Sequence, residues 1–268
     1  MDFHSPTLQD KGWVTKAFLE GQTDCCEYCF GNIYMWSDIY DNKIYNDNGI
    51  FISADFTDEP IFCYPIGNGD KKSTISKLIE FAKSLNVNFE FFGLTEKDRD
   101  ELNYLFPNQF DIHETRDFFD YLYKSEDLAN LVGRKYHSKK NHVSYFEKNF
   151  DWKYEPINKD NIEQCLLLND HWEGLNKQKN PEEISDENKA IKKALNNYFD
   201  LDFEGGVLTI QGEIVAFTFG ERLNDNTFCT HVEKAYGNIR GAYQMINREF
   251  ARQLQDRYEF INREEDTG

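Results

Sequence analysis

Three short segments carry side chains suited to group transfer. Thr227–Glu233 reads as a strand, with Phe228, Thr230 and Val232 on one face and Cys229, His231 and Glu233 on the other. An imidazole and a carboxylate on one face suit removal of a proton from an attacking amine or hydroxyl. Imidazole is also the side chain that titrates nearest neutrality. His231 and Glu233 are therefore the candidate catalytic residues. The same two groups would equally form a half-buried polar pair with no chemistry.

The second segment is Tyr236–Ala242, a turn with Gly237 and Gly241 that leads into a helix. A helix start presents unpaired N–H groups and the positive end of the helix dipole, so Gly241 and Ala242 are expected to hold phosphate. The alternative is a plain tight turn. Tyr243 and Gln244 in the first turn of that helix are expected to face substrate. So are Asn262 and Arg263, at the end of the last strand, where ligands of open sheets collect. The third segment, Arg134–His142, carries Arg134, Lys135, Lys139 and Lys140. On one continuous helix Lys135 and Lys139 share a face. Such a cluster suits the phosphates of a nucleotide, of a tRNA acceptor end or of a lipid headgroup. Its bland counterpart is a solvated face paired with acidic neighbours.

Composition narrows the field. The chain has 268 residues and a formal net charge of −18, which argues against a broad nucleic-acid surface and leaves room for a local basic patch. With 40% hydrophobic residues it can bury a sizeable core. No apolar run reaches the roughly 18 residues of a membrane span, and residues 1–20 lack a signal-peptide pattern, so a cytoplasmic location is expected. The six cysteines then read as reduced thiols. Cys26-Glu-Tyr-Cys29 lacks the second ligand pair of a zinc site, so no metal is expected.

The elements that must position these segments occur twice in the same order. Strands at 49–53 and 60–66 lead to the turn 67–70, a helix at 73–85 with Ser73 as its N-cap, and a strand at 88–92. Strands at 205–210, 213–220 and 227–233 lead to the turn 237–242, a helix to about 257 and a strand at 258–262. This implies an α/β (α+β) fold of two tandem domains, 1–126 and 127–268, each a mixed sheet flanked by helices. Helices are expected at 12–20, 33–39, 95–106, 127–149, 159–175 and 186–199. A strand at 118–123 is expected to close the first sheet. Nothing equivalent follows residue 262, so the second sheet is expected to be incomplete at its C-terminal side, or completed by a partner. The oligomeric state is not legible.

Cys29-Phe-Gly-Asn-Ile-Tyr-Met-Trp36, Gly133–His142, Gly205-Gly206, Phe217–Gly220, His231-Val-Glu-Lys-Ala235, Gly241–Glu249 and Phe260–Asp266 together resemble the C-terminal domain of phosphatidylglycerol lysyltransferases. The resemblance implies two tandem GNAT-like domains (acyl-CoA N-acyltransferase-like), similar also to the tRNA-dependent peptidoglycan bridge enzymes. It implies transfer of an amino acid from aminoacyl-tRNA to a lipid hydroxyl. Residues 134–142 would hold donor phosphates, and a cleft beside 231–243 the aminoacyl group. The family's coenzyme A relatives need a small residue where Tyr243 stands, so acetyl-CoA is a weaker donor candidate than aminoacyl-tRNA. That turn and the expected missing tail also fit a non-catalytic ligand-binding module.

Overall fold

The computed structural model describes residues 1–178 and 180–265. They form two compact units. The first comprises residues 1–120 with Leu223–Asp225 and Glu265, and the second Tyr121–Arg222 with Asn226–Glu264.

The first unit contains α1 (Lys11–Gly21), α2 (Phe30–Trp36), β1 (Asn42–Asp47), β2 (Ile50–Asp55), β3 (Ile61–Cys63), β4 (Ile66–Gly67), α3 (Lys71–Leu85), β5 (Phe91–Phe92) and α4 (Glu96–Leu105). β1, β2 and β3 pair antiparallel in sequence, β4 also pairs with β2, and β3 runs parallel to β5. Aromatic rings fill the space around β3 and β5: Phe62 lies 5.4 Å from Phe89, and Phe89 lies 4.7 Å from Phe91. Tyr28 belongs to this interior, its hydroxyl donating to Tyr64 O at 2.9 Å. The pair Cys26 and Cys29 is buried, and Cys26 Sγ donates to Asp120 Oδ1. The cap of α3 is Asp70, not Ser73; the Asp70 carboxylate accepts from Ser73 N. Thr95 and Asp98 form a capping box at α4.

The second unit contains β6 (Leu122–Lys124), α5 (Ser125–Asn130), α6 (His137–Asn149), β7 (Trp152–Pro156), α7 (Ile162–Asn176), α8 (Pro181–Asn196), β8 (Glu204–Ile210), β9 (Glu213–Arg222), β10 (Thr227–Ala235), α9 (Ala242–Leu254) and β11 (Phe260–Asn262). Its sheet order is β6-β11-β10-β9-β8-β7. β8 and β9 meet at Gln211-Gly212, both with positive φ, the geometry of a two-residue hairpin turn that matches strand twist. α9 follows its apolar spacing: Met245, Ile246, Phe250, Ala251 and Leu254 are buried against α5, α6 and the sheet. Both units thus carry a helix between two parallel neighbouring strands, the repeated order read from the sequence.

Three expectations need correction. The strand expected at 118–123 forms at 122–124, and it pairs antiparallel with β11 of the second sheet instead of closing the first. The place beside β11, expected to stand vacant or to await a partner, is therefore taken by β6. The helix expected over 127–149 is broken: Leu131 and Gly133 have positive φ, a short 3₁₀ turn holds 134–136, and α6 starts at His137. Lys135 and Lys139 consequently do not share a helix face.

Candidate functional site

β10 and β11 pair only as far as Cys229↔Asn262. Beyond that, β10 continues against β9 without β11 and carries a bulge at His231, between the pairs Thr230↔Gly220 and Val232↔Phe219. An inserted residue reverses the alternation of a strand. Phe228, Thr230, Glu233 and Ala235 therefore face α9. Cys229, His231, Val232 and Lys234 face α7 and α8. His231 and Glu233 do not share a face.

On the α7/α8 face, His231 is enclosed, with 1% of its side chain exposed. Its Nδ1 lies 2.6 Å from Glu264 Oε1 and its Nε2 lies 3.0 Å from Glu221 Oε1. Burial opposes charging of the ring, but Cys229, Glu264 and Glu221 outweigh it and hold the imidazole well above the usual histidine range. With both ring nitrogens donating to carboxylates, no lone pair is left to take a proton. These surroundings, with a carboxylate on each ring nitrogen, do not favour the expected role of His231 as general base. Lys234 lies on the same face, 2.6 Å from Glu187 and 3.4 Å above the Trp172 ring. Burial lowers its ammonium and Glu187 raises it, with burial the larger.

On the α9 face, Glu233 is 12% exposed. Its Oε2 accepts from Asn247 Nδ2 at 2.9 Å and its Oε1 from Arg263 Nη2 at 3.3 Å. Arg263 Nε is buried with no acceptor among the described residues. Lys139 is half-buried close by: burial and then Arg263 push its ammonium down, while Glu233 pushes it up. Arg263 pairs with this carboxylate, Lys139 lies within the electrostatic reach of both, and one guanidinium N–H has no acceptor among the described residues. That arrangement favours an anion or a carbonyl oxygen in which negative charge develops.

The remaining expected residues are placed as follows. Tyr243 enters from the first turn of α9 and its hydroxyl accepts from Trp172 Nε1 at 2.9 Å. Burial, countered by hydrogen bonds from Ala235 and Trp172, leaves that hydroxyl above its ordinary range. Gln244 is half-buried beside it. Asn262 is fully buried and its Oδ1 accepts from Glu264 N at 2.7 Å, so it shapes the backbone and does not face substrate as expected. Gly241 has φ +90°, and a Cβ there would lie 2.5 Å from His142 O of α6. The glycine admits a neighbouring helix, not a phosphate, and the Ala242 N–H is already spent on Ile239 O. The expected phosphate role of Gly241 and Ala242 is not supported by this geometry. Arg134, Lys135 and Lys140 are exposed ahead of and on the first turn of α6, with Lys135 paired to Asp127 at 3.0 Å. Of the basic cluster Lys139 is the half-buried member, and Arg263 and Glu233 both act on its ammonium. A cleft of about 470 Å³ opens between His171, Leu175 and Asn176 of α7 and the turn Tyr236–Ile239.

Asn247 and Trp172 were not singled out from the sequence. Asn247 stands four residues after Tyr243, one helical turn along the same face, a spacing that would have found it. Nothing local signals Trp172, which meets Tyr243 only through the fold.

Comparison with known proteins places this geometry. No curated protein matches the sequence. A conserved protein of unknown function from Bacteroides thetaiotaomicron is 37% identical, over 100% of this chain and 91% of that one, with a TM-score of 0.94. The C-terminal domain of a putative lysylphosphatidylglycerol synthetase from Agrobacterium fabrum shares the fold at 14% identity, over 97% of this chain and 79% of that one, with a TM-score of 0.65. L-PGS from Bacillus licheniformis does so at 13% identity, over 87% and 73%, with a TM-score of 0.61. The family described as "Phosphatidylglycerol lysyltransferase, C-terminal" matches residues 21–266. The chain belongs to that family and has its tandem GNAT-like fold.

Proposed function

We propose that the protein transfers an aminoacyl group from an aminoacyl-tRNA to a hydroxyl or amine, with the α9 face of the second unit as its site. The observation that carries this reading is the Arg263–Glu233 pair, with half-buried Lys139 in the electrostatic field of both and an Arg263 Nε that has no acceptor among the described residues. The acceptor heteroatom attacks the ester carbonyl carbon and passes its proton to Glu233. Arg263 and Lys139 stabilise the negative charge that develops on the carbonyl oxygen. The bond from the carbonyl carbon to the ribose oxygen then breaks, and Glu233 returns the proton to that leaving oxygen. The family match supports the reaction class. Tyr243 and the close approach of α6 to Gly241 speak against seating the pyrophosphate of acetyl-CoA. A phosphatidylglycerol headgroup is the acceptor class that the family suggests.

The test follows labelled amino acid from charged tRNA into phosphatidylglycerol vesicles and into small amines. Glu233→Gln should slow transfer roughly 100-fold or more. A variant as fast as the parent removes Glu233 from the chemistry. Donor binding without turnover in the parent protein would instead make it a ligand-binding module.

A further inference from the structure

The strand beside the proposed site carries two tyrosines that the transfer chemistry does not use. β6 pairs with β11 in the register Leu122↔Asn262 and Tyr123↔Ile261. One residue further out, Tyr121 O accepts from Arg263 N at 3.0 Å and Tyr121 N donates to Glu264 O at 2.9 Å. Residues opposite each other in an antiparallel pair lie on the same face. Tyr121 and Tyr123 are therefore on the face that holds Ile261, Arg263 and Glu233. Their rings are 14° from parallel with centroids 6.5 Å apart, and Tyr121 is 49% exposed. The Lys139 ammonium lies 5.8 Å from the Tyr123 ring centre. Arg134 and Lys140, both exposed, belong to the same basic segment as Lys139.

We infer that Tyr121 and Tyr123 form a stacking platform for the unpaired bases of a single-stranded RNA 3′ end, with Lys140 and Arg134, on either side of Lys139 in the sequence, tracking its phosphates. The inference rests on the transfer reading above, since it names how that site seats its donor. Parallel aromatic rings next to an exposed basic segment suit single-stranded nucleic acid: faces for the bases and charge for the backbone. A free amino acid would use the cations and not the rings. A chain of net charge −18 that keeps an excess of cations here also points to a polyanion.

Fluorescence anisotropy of the full chain with a short labelled RNA ending in CCA tests this. Tyr121→Ala should weaken binding roughly 5- to 150-fold, the range that base stacking contributes, and Tyr121→Phe should bind like the parent. The same RNA with its terminal bases removed should bind weakly and show no response to Tyr121→Ala. Lys140→Met should flatten the dependence of log affinity on log salt by roughly 0.7. Equal binding of the intact RNA by Tyr121→Ala and the parent overturns the platform, as does equal binding of intact and base-free RNA. So does an outcome in which phosphatidylglycerol vesicles, and not the RNA, bind in a Tyr121-dependent way. A thermal melt of each variant separates lost binding from lost folding. Tyr121-dependent RNA binding by a protein that transfers nothing keeps the platform and removes the transfer reading. Normal transfer with an unchanged donor KM in Tyr121→Ala does the reverse.

Discussion

The same place in the two units is built from opposite materials. In the first, the helix after the turn is α3, and its start is already occupied by a carboxylate, Asp70. Lys71 beside it is spent on Glu101 at 2.6 Å, and Glu101 also accepts from the Tyr64 hydroxyl. Phenylalanines pack the region between β3 and β5. In the second, α9 starts without a side-chain cap, and where β10 diverges from β11 paired charges are held on both faces. One copy satisfies itself. The other leaves one Arg263 donor without an acceptor among the described residues. On the transfer reading proposed above, the second copy holds the chemistry and the first does not.

The sharpest break of this comparison exchanges a cation in each copy. Arg263→Met should slow transfer by roughly 100- to 1,000-fold, the loss seen when one donor to a developing oxyanion is removed. Lys71→Met should leave the rate unchanged, and an equal loss in both would erase the division between the copies. The two glycines of the second turn come next. Gly241→Ala forces a Cβ into the carbonyl of His142 at positive φ and should cost about 1–3 kcal/mol in a denaturant titration. Gly237→Ala meets open space at ordinary φ and should be neutral or stabilise by about 0.4–1 kcal/mol.

A smaller effect separates the units by pH. The raised pKa of His231 means that its stabilisation is complete below the ordinary histidine range and is lost as pH rises through the higher folded value. Asp47 behaves oppositely: burial would raise its carboxyl, but Lys77 and Thr74 hold it low. Its contribution is present above the ordinary aspartate range and fades as pH falls through the depressed value. Thermal melts should therefore show His231→Gln flattening the alkaline fall in Tm, and Asp47→Asn flattening the acid one. A shared alkaline response in both variants would contradict the assignment.

The element order, the capping box at Thr95, the hairpin at Gln211-Gly212 and the apolar stripe of α9 were all legible, because each is local in sequence. What misled was non-local. The bulge at His231 is set by pairing with β9, so strict alternation put Glu233 on the wrong face. The clamp on His231 comes from Glu221 and Glu264, on other segments, and occupies both nitrogens of the expected base. The break at Leu131–Tyr136 hides inside a sequence that reads as helix. β1 and β7 were missed because both are polar edge strands, with burial on scattered positions and no clean alternation. Lys139 and Arg263 were singled out from charge and from position at a strand end, and the fold sets both near Glu233.

The pairing of β6 with β11 has a consequence for how the chain can be cut. A fragment beginning at residue 127, where composition invites a boundary, would leave β11 with one side unpaired. An open strand edge is a template for joining other chains. Such a fragment should self-associate, whereas one beginning before Tyr121 keeps its edge covered by its own strand. The peptide that links the copies is also a wall of the second.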